Sequence, residues 1–202
     1  MQHGNKTRGT AVLGGAGMVS LWGASSLIES IQYGTVSWTT NAASSGTATI
    51  TAVDTARAFV VFMGQSCANT TANAPNSGFA RVALTNSTTV TATAGGTSGT
   101  ADAMVVSFAV VQVATGVLKS IQAGTISVAS ATSGTATITE VNSAKAYVIY
   151  GGMSTADTTA SAFGPNTTFH RVTLTNSTTV TANRVTAGSF TATVAFTALE
   201  SF

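Results

Sequence analysis

The chain has 202 residues, of which 44% are hydrophobic and only 7% charged, with a formal net charge of +2; soluble domains usually carry about 25% charged residues. Ordinary apolar content with little charge excludes a disordered chain, and the absence of any Lys/Arg cluster excludes nucleic acid as the expected partner. A single cysteine, Cys67, excludes both an intrachain disulfide framework and a cysteine metal site, so it reads as a packed or bystander thiol.

In chain order, the first segment is residues 1–27. Lys6 and Arg8 precede an uncharged run from Gly9 to Ile28 that includes Met18-Val-Ser-Leu-Trp22. Such a pattern imitates a secretory signal and approaches the length of a membrane span. Five glycines and three serines in the run keep its hydrophobicity weak. The expectation is therefore an anchor that packs on neighbouring subunits, without membrane insertion. Gly14-Gly-Ala-Gly17 lacks the spacing, the preceding strand and the Lys-Ser/Thr of a phosphate loop.

From residue 28 onward the pattern is that of strands. Ser30-Ile-Gln-Tyr-Gly-Thr-Val-Ser-Trp38 carries apolar residues at odd positions before Gly34 and at even positions after it. A period-two strand changes phase only with an extra residue, so Gly34 is expected to mark a β-bulge. Gly46-Thr-Ala-Thr-Ile-Thr-Ala-Val53 alternates Thr with Ala and Ile and predicts a half-buried strand. Asp54-Thr55 predicts a turn. Ala56–Met63 is apolar at nearly every position and predicts a central strand. A Gly/Ser/Thr/Asn-rich loop over 64–78, containing Pro75, leads to a hairpin whose arms are Arg81–Thr85 and Thr88–Ala92. Met104–Gln112 predicts the last strand.

The same order then repeats. Leu84–Ala92 returns unchanged as Leu174–Ala182, Ser45–Thr51 as Ser133–Thr139 and Ser30-Ile-Gln32 as Ser120-Ile-Gln122, each 88 to 90 residues later. Gly124, Asn142-Ser143, the loop 151–168 with Pro165, and Thr193–Glu200 hold the equivalent places. A repeat of that length denotes two copies of a small domain rather than a solenoid. The expected organisation is an anchor over 1–27, one β module over 28–113 and its copy over 114–202, joined by Ala114-Thr-Gly-Val117. About six short strands per copy without helical periodicity predict an all-β fold: two tandem small antiparallel β-sandwich or partly open barrel modules. Thr and Ser, about 60 residues together, must supply most of the polar surface. Low charge with high β content makes a lone monomer prone to edge aggregation, which predicts a homo-oligomer.

Reactive groups do not follow the repeat. Glu29, Asp54, Asp102, Glu140, Asp157 and Glu200 are scattered, and Glu29 matches Lys119 in the copy. They read as turn or edge carboxylates rather than an acid/base pair. His3 and His170 are the two histidines, and Ala80 replaces His170 in the first copy, which leaves no support for a triad or a histidine metal site. Two basic positions are shared: Arg57 with Lys145, and Arg81 with Arg171. They read as edge charges that discourage strand aggregation, with contact between subunits as the alternative. Asn5, Asn69, Asn86, Asn166 and Asn176 begin N-x-S/T triplets and read as turn residues rather than glycosylation sites. No catalytic residue, cofactor or metal is expected.

The succession Ser-Ile-Gln-x-Gly-Thr, Ser-Gly-Thr-Ala-Thr-Ile, Val-Asp-x-x-(Arg/Lys)-Ala and Arg-Val-x-Leu-Thr-Asn-Ser-Thr-Thr-Val-Thr-Ala over residues 28–202 resembles β-rich structural proteins of tailed bacteriophages. The resemblance implies a non-enzymatic virion component. Within that class, a tail-tip or tail-fibre protein that presents its modules outward is expected, ahead of a capsid-decorating (cement or head-fibre) protein. It further implies attachment to other virion proteins through residues 1–27, a trimer by analogy, and contact with a host surface receptor or glycan through loops. A secreted or surface adhesin-like binding protein is the reading from another class.

Overall fold

A computed structural model describes residues 27–39, 44–68, 78–95, 103–155 and 165–202. The expected anchor up to residue 26, the Gly14–Gly17 run, His3, Asn5, Asn69, Pro75, Asp102 and Asp157 lie outside the described residues.

The described chain is all-β, with three antiparallel sheets and no closed barrel. Its elements are β1 (Ile28–Trp38), β2 (Ser45–Thr49), β3 (Ala58–Ala68), β4 (Ala80–Asn86), β5 (Thr89–Ala94), β6 (Ala103–Val113), β7 (Leu118–Ala129), β8 (Ser133–Thr137), β9 (Ala146–Thr155), a one-turn helix α1 (Pro165–Thr168), β10 (Arg171–Asn176), β11 (Thr179–Asn183) and β12 (Thr191–Ser201). The helix is too short to leave a periodicity in the sequence. It opens on a residue whose fixed φ suits the first helical position and whose missing N–H costs nothing there.

In the first half the strand orders are β1-β6-β3 and β2-β5-β4; in the second they are β7-β12-β9 and β8-β11-β10. The two halves thus have the same strand order. In each, two small sheets face one another across a core. Val36, Trp38, Val60, Val82, Val90, Val106 and Phe108 fill the first, and Ile126, Val128, Val180, Val194 and Phe196 the second. Alternation explains the choice of face: β5 reads half-buried then buried at every step, with Val90, Ala92 and Ala94 inward and Thr between them. Burying one such aliphatic side chain contributes about 1.5–3 kcal/mol.

Gly34 and Gly124 do not form bulges. β1 runs in register with β6 through Gly34↔Phe108 and Thr35↔Ser107, and β7 pairs with β12 through Phe196↔Gly124 and Ala195↔Thr125. The glycines are needed for space. A Cβ at Gly34 would lie 2.5 Å from Phe108 Cζ, and one at Gly124 would lie 2.9 Å from Phe196 Cζ. The Phe ring lies across the bare backbone of the neighbouring strand. The change of hydrophobic phase has another cause. Ile121 is on the outer face of its sheet but packs into a third apolar cluster, with Phe59, Val113 and Leu199 at its centre, where the two halves meet.

Glycine bulges lie instead on β3 and β9, which both run further than expected, into the predicted loops. Phe62↔Phe108 is followed by Gly64↔Ser107, which leaves Met63 as the extra residue. On β9, Gly151 and Gly152 stand opposite Ala195. Gly64 (φ 118°) and Gly152 (φ 89°) take the left-handed conformation that such a bulge requires.

The halves are joined edge to edge. β4 pairs with β9 at Arg81↔Gly152, which makes one sheet in the order β2-β5-β4-β9-β12-β7. The linker turns at Gly116 (φ 82°), and Val117 N–H donates to Ala114 O.

Candidate functional site

An apolar groove of about 510 Å³ lies at this junction. Outward side chains of β4 and β5, including Arg81, Thr91 and Thr93, form one wall. Ile121 and Thr125 of β7 with Thr197 of β12 form the other. Threonine hydroxyls and aliphatic carbons meet there because the outward positions of the Thr-alternating strands are brought opposite the outer face of the β7-β12-β9 sheet. Arg81 is the lone charged side chain among the lining residues, and its guanidinium donates to Ser154 Oγ across the junction. Burial lowers the pKa of Arg81 from its ordinary value, without neutralising so strong a base. Apart from Arg81, the groove offers uncharged contact surface. Among the described residues, its lining holds no carboxylate, imidazole or thiol.

The structure brings together carboxylates that the sequence left scattered. Arg57, at the start of β3, donates to Glu29 and to Asp54 (2.9 Å), and also to Val113 O (2.8 Å). Hydrogen bonding to Arg57 is the main reason that both carboxyls titrate below their ordinary values. Two carboxylates held ionised by one cation make a clasp, not an acid/base pair. The second half closes the same corner differently. Glu200, 2% exposed, accepts from Asn142 N–H (2.9 Å) and from Lys119 Nζ (3.0 Å). Those bonds, the backbone one first, pull its carboxyl below the usual glutamate value. In the first half, Gln112 Oε1 accepts from Asp54 N–H at 2.8 Å in the same geometry. Glu29 thus corresponds to Lys119, and Gln112 to Glu200.

A second recess of about 530 Å³ is lined by Phe169, His170, Arg171 and Arg184. His170 Nδ1 lies 2.8 Å from Thr168 O, and Nε2 is buried without a hydrogen-bond partner. Burial is the main cause of its lowered pKa, with the Arg184 cation adding to it. Arg184, 5% exposed, reaches four backbone carbonyls: Ala131, Thr167, Gly188 and Phe190. Its guanidinium carbon is 4.8 Å from the centroid of the Phe190 ring. It fastens the loop before β12. Sequence reasoning did not single it out, although a lone cation where the first copy has Ala94 was a signal.

Cys67 is half-buried on β3 and in no disulfide. Asn86 and Asn176 are turn residues, each accepting at Oδ1 from the N–H two residues on, at Thr88 and Thr178 (2.9 Å). Among the described residues, no three His, Cys, Asp or Glu side chains converge as a metal site. No described helix is long and apolar enough to cross a membrane. No protein-family model, curated protein or solved structure matches the chain.

Proposed function

We propose that the chain is a non-enzymatic structural protein of a bacteriophage virion, a tail-tip or tail-fibre component that assembles as a homo-oligomer. The observation that carries this reading is the pattern of what is duplicated. The Phe-over-glycine contact, the bulge glycines, the Asx-turn hairpins and the strand order occur in both halves. Cys67, His170 and Arg184 occur in one. The scaffold is present twice, as a building unit requires, and these reactive groups once. The resemblance of residues 28–202 to tailed-phage structural proteins supplies the class. Threonine-rich outer faces and the threonine-lined groove supply contact surface for a host receptor or glycan, and residues 1–27 the attachment to other virion proteins.

Mass spectrometry of purified particles, with gold-labelled antibody against the chain in electron micrographs, tests the reading. Label at the tail tip or fibres is expected. Label over the head would make it a capsid-decorating protein. Absence of the chain from particles would overturn a virion role.

A further inference from the structure

The joint between the halves is heterologous: β4 of the first half meets β9 of the second, so different elements are used on the two sides. Each half nevertheless carries both elements. The counterpart of β9 in the first half is β3, and the counterpart of β4 in the second half is β10. Both are terminal strands of their sheets, with no further strand hydrogen-bonded to them among the described residues.

Their residues match those used inside the chain. Gly152 and Ser154 on β9 correspond to Gly64 and Ser66 on β3, and Arg81 on β4 corresponds to Arg171 on β10. At the closed joint, Arg81 pairs with Gly152 and donates to Ser154 Oγ, and a Cβ on Gly152 would lie 2.4 Å from Ala80 O. At the open positions, Arg171 and Ser66 are exposed, and a Cβ at Gly64 would meet nothing within 4 Å. The faces match as well. Ile121, on the outer face of β7, is packed where the halves meet. Its counterpart Ile31 is 42% exposed, and Tyr33, Met63 and Val105 on the strands of the same sheet are exposed as well.

We propose that a second copy of this chain covers these surfaces: the β10 edge of one copy pairs with the β3 edge of the next, repeating between copies the joint already made within one. A heterologous joint closes into a ring when its rotation divides a full turn, and otherwise extends. One contact is not carried over. Gly95 packs so closely on Thr155 that a Cβ would fall 1.5 Å from its carbonyl oxygen, whereas β11 ends at Asn183 and Val185 stands exposed beyond it. The joint between copies is therefore confined to β10. The inference specifies how the oligomer is built and rests on the reading that the chain self-assembles.

Sedimentation velocity and light scattering on the full-length chain over a wide concentration series test it. Molar mass is expected to rise with concentration. Arg171→Glu and Ser66→Arg, both at exposed positions, should each weaken association roughly tenfold, because each removes or opposes one charge-assisted hydrogen bond. The double variant should recover association, because each copy then offers the reversed pair to the next. Unchanged circular dichroism and melting certify the fold. Single variants that associate like the parent would overturn this joint and leave self-assembly standing. A parent chain that stays monomeric throughout would overturn both.

Discussion

At the scale of single residues, small groups are placed where a larger one has no room. Gly34 lies beneath the Phe108 ring, so Gly34→Val forces the ring or the strand to move. Overpacking of that kind costs about 1–3 kcal/mol, and a lower urea midpoint with an unchanged slope would report it. The acid corner behaves differently. Glu200 has a folded-state pKa below that of the unfolded chain. Its contribution to stability is present above the ordinary glutamate value of about 4.3 and is lost as pH falls through the lower folded value. Glu29 and Asp54 shift in the same direction, so melting temperature should fall on acidification in that range. Glu200→Gln, which copies the first half's Gln112, should melt with a shallower acid dependence than the parent. An identical pH profile for the two proteins would refute the role assigned to this carboxylate.

At the scale of elements, the two hairpins are an internal control for one another. Each turns through an Asn that accepts from the N–H two residues ahead, and each has a cross-strand pair of threonine hydroxyls, Thr85 with Thr91 and Thr175 with Thr181. Asn86→Ala and Asn176→Ala should each cost about 1 kcal/mol, with equal shifts in chemical denaturation. These hairpins were legible because the turn chemistry is local: Leu-Thr-Asn-Ser-Thr-Thr-Val carries its own instruction. The bulges were not, although a glycine inside an apolar run signals one. Gly64 and Gly151 read as the first residues of loops, since the residues that follow are small and polar. The misplaced bulge at Gly34 has the opposite origin. Period-two reasoning assigns each strand one buried face; Ile121, before Gly124, violates that assumption because the other half covers it, and its counterpart Ile31, before Gly34, is an apolar side chain left exposed. Such contacts depend on how the modules dock, which is absent from any local window. The clasp around Arg57 was hidden for the same reason, since Glu29 is 28 residues from Arg57 in sequence.

At the scale of the molecule, the junction couples the two cores. Leu199 is fully buried in the cluster where the halves meet, beside Phe59 and Val113. Leu199→Ala should cost about 2–5 kcal/mol. Because the six-stranded sheet runs through both halves, calorimetry of the parent should show one transition. Two resolved transitions in the parent would mean that the shared sheet does not bind the halves into a single cooperative unit.

The clasp also bears on how a gene with near-identical stretches keeps its order. Exchange between the twin segments around Leu84 and Leu174 would fuse the front of one half to the back of the other. The shortened product would keep Glu29, Asp54 and Arg57 but end in Glu200, a carboxylate where Gln112 lies beside Glu29, and Lys119 would be gone. The reciprocal arrangement would leave Lys119 facing a neutral amide. Each half is matched to itself and mismatched to its twin, so such a fused half would lose the charge pairing that both natural halves have.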